Sequence, residues 1–236
     1  MYFKKPLIET QDEHIFQLAP IPVYQRVYED VLTDKVYKLG LETLTDTQKQ
    51  MGQELPKQYD EERQSHYDVN YDRQEQWVED HEFPPIGSRF YTPPNNFLDN
   101  QDEDVQVIRR RIEGGFLQLL KAMQIEAQGK PTITESWLQY YDPFSGRGHN
   151  AHNHCRWNHE EAKPVMFSGG YYLSDGDPIQ DHPYSGVFAF HIRGMKYYIR
   201  PKKGMLIIWP YDIVHSVEPF YGKEHRAVIN FNIQIK

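Results

Sequence analysis

The sequence predicts a mainly β protein with packing helices, an α+β chain whose C-terminal part is a sandwich or jelly roll. Three observations carry that expectation. After Pro131, short apolar stretches are separated by turn residues such as Asp175-Gly176-Asp177-Pro178 and Pro201-Lys202-Lys203-Gly204. Between Asp104 and Ala127, Val105, Ile108, Ile112, Phe116, Leu119, Leu120 and Met123 recur every three or four positions, which makes one helix face. A chain of 236 residues suffices for one sizeable domain, and a single β barrel or sandwich of that size is ordinary. The expected organisation is one domain over 1–236, with helices and polar loops over 1–130 supporting a core over 131–236.

Taken in order, Pro20 to Val27 is short, apolar and marked by Pro and Tyr, which suggests an edge strand. Leu32 to Leu44 reads as a helix capped by Thr33 or Asp34. Thr47 to Asn100 is polar and acidic, with little periodicity, and reads as long loops or a surface insertion. The helix over Asp104 to Ala127 packs its apolar stripe on a sheet, and Arg109-Arg110-Arg111 lies on its solvated face. Strands are then expected over Thr132 to Tyr141, Val165 to Leu173, Gly186 to Ile192, Lys196 to Ile199, Gly204 to Trp209 and Ala227 to Ile235.

A net charge of −8 and a pI near 5.8 argue against a nucleic-acid partner, which would favour a clustered basic face. The lone cysteine, Cys155, excludes an internal disulfide and favours a reducing compartment. With no signal pattern, and no apolar run near the about 18 residues that span a bilayer, a cytoplasmic protein with no membrane partner is expected. Cys155 itself reads as packing, because on a strand it would point away from the histidines beside it.

Those histidines carry the chemistry. His152 and His154 stand two apart in His149-Asn150-Ala151-His152-Asn153-His154, so strand alternation puts both imidazoles on one face. His215 follows the apolar stretch Met205 to Trp209 and would close on the pair from a neighbouring strand, giving an open metal site. An iron that binds an organic cosubstrate and dioxygen needs about three protein ligands on one face, usually two His and a carboxylate; here His154 fills the carboxylate's place. Arg226 opens the strand Ala227-Val228-Ile229-Asn230-Phe231-Asn232, where its planar fork could hold a carboxylate from two sides. A dicarboxylate ligand and a structural salt bridge both remain open for it.

Glu135-Ser136-Trp137, His152-Asn153-His154, Ser168-Gly169-Gly170-Tyr171-Tyr172-Leu173, Gly204 to Pro210, His215-Ser216-Val217-Glu218-Pro219, Arg226 and Asn230-Phe231-Asn232, in that order, resemble the iron(II)/2-oxoglutarate-dependent oxygenase superfamily. Within it the chain looks like the poorly characterised bacterial and phage branch related to prolyl hydroxylases. The resemblance covers roughly Thr132 to Lys236. It implies a double-stranded β-helix, the cupin-like jelly roll, with Fe(II), 2-oxoglutarate as cosubstrate and O2. His152, His154 and His215 would be the metal and catalytic residues, Arg226 would bind the distal carboxylate of 2-oxoglutarate, and Tyr140, with Tyr172 behind it, would share that carboxylate. Tyr171, Tyr197, Tyr198, Trp209 and Phe231 are further candidates to line the pocket. The implied reaction is hydroxylation of an unactivated C–H bond with release of succinate and CO2.

The superfamily pattern is His-x-Asp or His-x-Glu, so His154 is a departure, and His159-Glu160-Glu161 offers a competing pair, His159 with Glu161. Two alternatives stay open: a three-His cupin-type oxygenase that does not use 2-oxoglutarate, and a non-enzymatic metal-binding or structural jelly roll. The substrate expected is a small molecule or a peptide; the acidic surface suits a basic one.

Overall fold

The computed structural model describes residues 8–9, 13–18, 21–51, 88–91, 97–141, 148–154, 167–178 and 182–235. The chain divides into two compact units, Met1–Tyr37 with Gly87–Lys236, and Lys38–Ile86. In order, the elements are strands β1 (Ile8–Glu9), β2 (Glu13–Leu18) and β3 (Ile21–Val27), helix α1 (Leu32–Met51), strand β4 (Ser88–Tyr91), a 3-10 turn (Phe97–Asp99) and helix α2 (Glu103–Ala122). Strands β5 (Pro131–Tyr141), β6 (His149–His152), β7 (Phe167–Asp175), β8 (Phe188–Ile192), β9 (Met195–Ile199), β10 (Met205–Pro210), β11 (His215–Val217) and β12 (Arg226–Ile235) follow. The second unit's described residues are those of α1 from 38 onward. No described helix is long and apolar enough to cross a membrane.

Among the described residues of the first unit the strands form two antiparallel sheets, an eight-stranded one ordered β1-β2-β3-β10-β7-β12-β5-β4 and a four-stranded one ordered β6-β11-β8-β9. From β5 onward the chain passes back and forth between them. β5, β7, β10 and β12 lie in the large sheet, while β6, the β8–β9 hairpin and β11 lie in the small one. That alternation is a jelly roll, a double-stranded β-helix, and it is how residues far apart in sequence come to face each other. The β8–β9 turn places Arg193 and Gly194 at φ 51° and 76°, the left-handed pair that matches the twist of a two-residue hairpin.

The inter-sheet core is built from Val23, Tyr172, Phe188, Phe190, Ile192, Met205, Ile207, Trp209 and Val228, all buried. Burial of each large apolar side chain contributes about 1.5–3 kcal/mol. The other face of the large sheet receives α2, whose stripe Val105, Ile108, Ile112, Phe116, Leu119 and Leu120 is buried as its spacing predicts. Asp102 caps that helix, accepting from the Asp104 and Val105 amides at 2.9 and 3.3 Å. Gly115 lets it approach closely, since a Cβ there would stand 2.7 Å from the Tyr24 ring.

The structure corrects three expectations. β3 is an interior strand, because β2 folds back on one side of it and β10 pairs on the other. Thr33 and Asp34 lie inside α1, whose first amide, that of Leu32, bonds the Asp30 carboxylate at 3.2 Å. The basic run is also more engaged than a solvated face: Arg109 pairs with Asp99 and Glu113, and Arg111 binds Asp30 and the Tyr171 hydroxyl. Of the stretch Thr47 to Asn100, most lies outside the described residues.

Candidate metal centre

β6 ends at His152, and the antiparallel register sets His215, the first residue of β11, directly opposite it. His154 lies just past the strand end, its amide bonded to the Tyr211 carbonyl at 3.0 Å. The ring centroids of His152 and His215 are 4.3 Å apart, those of His154 and His215 5.1 Å, and those of His152 and His154 5.4 Å. One nitrogen from each ring lies within 4.8 Å of those of the other two. The three histidines singled out in the sequence therefore meet, although His154 does so from beyond the strand.

Their hydrogen bonds fix which nitrogen carries the proton. His152 Nδ1 is 2.7 Å from the Asn150 carbonyl and His215 Nδ1 is 2.9 Å from the Ile213 carbonyl. A carbonyl only accepts, so both rings carry their proton on Nδ1 and keep the Nε2 lone pair for a ligand. His154 Nδ1 is 2.7 Å from Asn232 Oδ1 and 2.8 Å from Ser168 Oγ. Burial, reinforced by the neighbouring imidazoles, lowers the pKa of His215 to about 2; burial also lowers that of His152. His149, packed against the His152 ring at 4.3 Å, is lowered to about 3, first by burial and then by the charges around it. Neutral imidazoles are the protonation state that binds a metal.

These rings line one wall of a cavity of about 400 Å³. β5 and β12 supply much of the rest from alternate positions, paired in register: Glu135 with Asn232, Trp137 with Asn230, Gln139 with Val228, and Tyr141 with Arg226. Arg226 is 1% exposed, and its guanidinium stands over the rings of Tyr141 and Tyr172 at 4.5 and 5.2 Å. Its Nε and Nη1 have no hydrogen-bond partner, and among the described residues no carboxylate pairs with it. Tyr141, Gln139 and Trp209 line the same cavity, and their Oη, Nε2 and Nε1 atoms are likewise buried without partners. Burial raises the Tyr141 pKa to about 12 and raises that of Tyr172, and in both the nearby Arg226 charge pulls the other way.

Tyr140 is the clearest correction. Strand parity turns it to the opposite face from the cavity, where its hydroxyl donates to the Tyr37 carbonyl at 3.1 Å. The tyrosines beside Arg226 are Tyr141 and Tyr172. Of the further pocket candidates only Trp209 lines the cavity. Tyr171 accepts a hydrogen bond from Arg111, Phe231 packs under Gly169, Tyr198 is exposed and Tyr197 packs against the core. His159, Glu161 and Cys155 lie outside the described residues. Glu135, Gln139, Ser168 and Asn232 were missed as site residues, although Glu135 and Gln139 share the alternation of Trp137 and Tyr141, and Asn232 that of Arg226.

No family model matches the sequence, and no curated protein matches it either. Among solved structures, the chain is similar to EvdMO1 with a TM-score of 0.50 and 14% identity, over 94% of this chain and 47% of that one. It thus spans about half the length of that protein and shares its fold. A Pseudomonas putida prolyl-4-hydroxylase aligns at TM-score 0.44 and 16% identity, over 63% and 70% of the two chains. A viral collagen prolyl hydroxylase from Paramecium Bursaria Chlorella virus-1, solved with 2OG, aligns at 0.42 and 17%, over 63% and 79%.

Proposed function

We propose that this protein is a non-haem Fe(II)- and 2-oxoglutarate-dependent dioxygenase that hydroxylates an unactivated C–H bond of a small molecule or peptide. One observation carries the reading: a single cavity holds three converging imidazoles at one wall and, at another, a buried guanidinium with two unpaired N–H donors. Neither half is accounted for by the fold's own packing. The donor set fits the cofactors. Three neutral imidazoles suit Fe(II), and with three His and no fourth His, Cys, Asp or Glu in the group among the described residues, coordination positions stay open for oxygen ligands. The unpaired N–H groups of Arg226 and Gln139 and the Tyr141 hydroxyl suit a carboxylate.

In this reading His152, His154 and His215 hold the metal, and Arg226 holds the distal carboxylate of 2-oxoglutarate. The chemistry supplied by the bound iron, cosubstrate and dioxygen is decarboxylation to succinate and CO2, coupled to insertion of one oxygen atom into a substrate C–H bond. The chain's own part is positional. Tyr141 and Tyr172 present their ring faces to the guanidinium, and Trp137, Phe188 and Trp209 keep the cavity apolar around the reacting centre. The lone cysteine and acidic charge support placing the protein in the cytoplasm, away from nucleic acid and membrane.

The test is an anaerobic titration of metal-free protein with Fe(II), then 2-oxoglutarate, following the weak visible charge-transfer band of the chelate. The band should form in wild type and be absent in Arg226→Ala and His215→Ala. The three neutral ligands also favour a second reading, a cupin-type oxygenase in which Arg226 holds a substrate carboxylate. Tight Fe(II) binding with no band at saturating 2-oxoglutarate would select it.

A further inference from the structure

His154 stands where the usual ligand is a carboxylate, and an imidazole there works only if its lone pair faces the metal. His152 and His215 have that orientation set by backbone carbonyls two residues earlier in the chain, those of Asn150 in β6 and Ile213 just before β11. His154 instead leans on a side-chain amide from the far end of the chain, and an amide can present either its oxygen or its NH2. Were Asn232 turned the other way, an N–H would meet Nδ1 and force the ring proton onto Nε2.

The neighbouring strand removes that ambiguity. Glu135, Asn232 and Ser168 form one row across β5, β12 and β7, each directly opposite the next in register. Asn232 Nδ2 donates to Glu135 Oε2 at 2.9 Å, and Ser168 Oγ donates to Asn232 Oδ1 at 2.9 Å. A carboxylate offers only acceptors, so it claims the NH2 of Asn232 and leaves Oδ1 for His154. His154 must then donate from Nδ1, shared between Asn232 Oδ1 and Ser168 Oγ, so the neutral ring carries no proton on Nε2. Ser168 and Asn232 are buried, so water does not compete for these groups.

We propose that Glu135 and Asn232 are positioning residues that hold His154 in its Nδ1–H tautomer and so allow a histidine to stand in for the third, anionic ligand. This rests on the metal reading above, but its first readout needs no metal. Metal-free protein labelled with 15N-histidine, at mildly alkaline pH, distinguishes Nδ1–H from Nε2–H in long-range 1H–15N correlation spectra. Wild type should show Nδ1–H on all three rings. In Glu135→Leu, which leaves Asn232 in place, His154 should move to a mixture with Nε2–H while His152 and His215 stay unchanged, which also serves as the folding control. In the double variant Glu135→Leu/Asn232→Asp, a carboxylate again presents an acceptor whichever way it turns, and Nδ1–H should return.

Anaerobic Fe(II) affinity should follow the tautomer, falling about 10–100-fold in Glu135→Leu and recovering in the double variant. An unchanged His154 tautomer in Glu135→Leu would overturn the proposal, as would a shifted tautomer that the double variant does not restore. Wild-type protein with the expected tautomers but no Fe(II) uptake would sink the metal reading and leave the tautomer lock supported.

Discussion

Arg226 is the residue at which sequence and structure bear on each other most directly. An Arg at the head of an apolar strand is conspicuous in an acidic chain, and the sequence leaves open whether it serves a salt bridge or a ligand. Burial with two unpaired N–H donors favours the ligand, because a buried cation held only by ring faces and lacking an anionic partner is costly to the fold. Arg226→Met, which keeps the bulk and removes the charge, should therefore leave the ligand-free protein as stable or more stable, by about 1 kcal/mol or more in urea unfolding, while losing 2-oxoglutarate binding. A loss of 2 kcal/mol or more, as for an ordinary core truncation, would mean the guanidinium is satisfied within the fold. The histidines were legible for the same reason as Arg226: their chemistry is unusual at those positions. In Gln139-Tyr140-Tyr141 both tyrosines fit a strand, and only the register with Arg226 decides that Tyr141, not Tyr140, faces the cavity.

At the scale of the element, β6 and β11 were expected only as carriers of the histidines, not from any strand pattern of their own. His-Asn-Ala-His and His-Ser-Val carry neither alternation nor an apolar run, and they are strands only because β8 pairs with β11 and the roll brings β6 alongside. The long strands β5, β7, β10 and β12 were visible to within a few residues because apolar side chains face both the core and α2. Bringing β6 and β11 together has a pH signature. His215 is buried and His152 half-buried, both neutral, with folded pKa values below the ordinary 6.5, that of His215 near 2. Between those values the unfolded chain binds protons that the folded one refuses, so stability of the metal-free protein is complete above about pH 6.5 and falls as pH drops below it. The slope should approach 1.4 kcal/mol per pH unit for each such histidine. Thermal melts of metal-free wild type and His215→Phe from pH 7.5 to 5 will show it, wild type losing stability faster; parallel curves would mean the imidazoles are hydrated in the fold.

At the scale of the molecule, the jelly roll was legible as a class but not as a wiring. Turn residues marked where strands stop, whereas the passage of successive strands between two sheets comes from long-range pairing that no local pattern carries. For the same reason β1, β2 and β4, which extend the large sheet from the N-terminal half, were not foreseen. The unpaired donors of Arg226, Gln139, Tyr141 and Trp209 have a consequence at this scale as well. On the proposed function they await a diffusible ligand, and its binding at about 100 times Kd would add about 2.7 kcal/mol to the fold. Stability changes of that size alter how much protein a cell retains several-fold. Metabolite supply should thus set the protein's lifetime as well as its turnover of substrate. In a pulse-chase experiment wild type should be cleared faster when 2-oxoglutarate is depleted, whereas Arg226→Met should decay at one rate regardless; equal sensitivity in both would break the link between supply and survival.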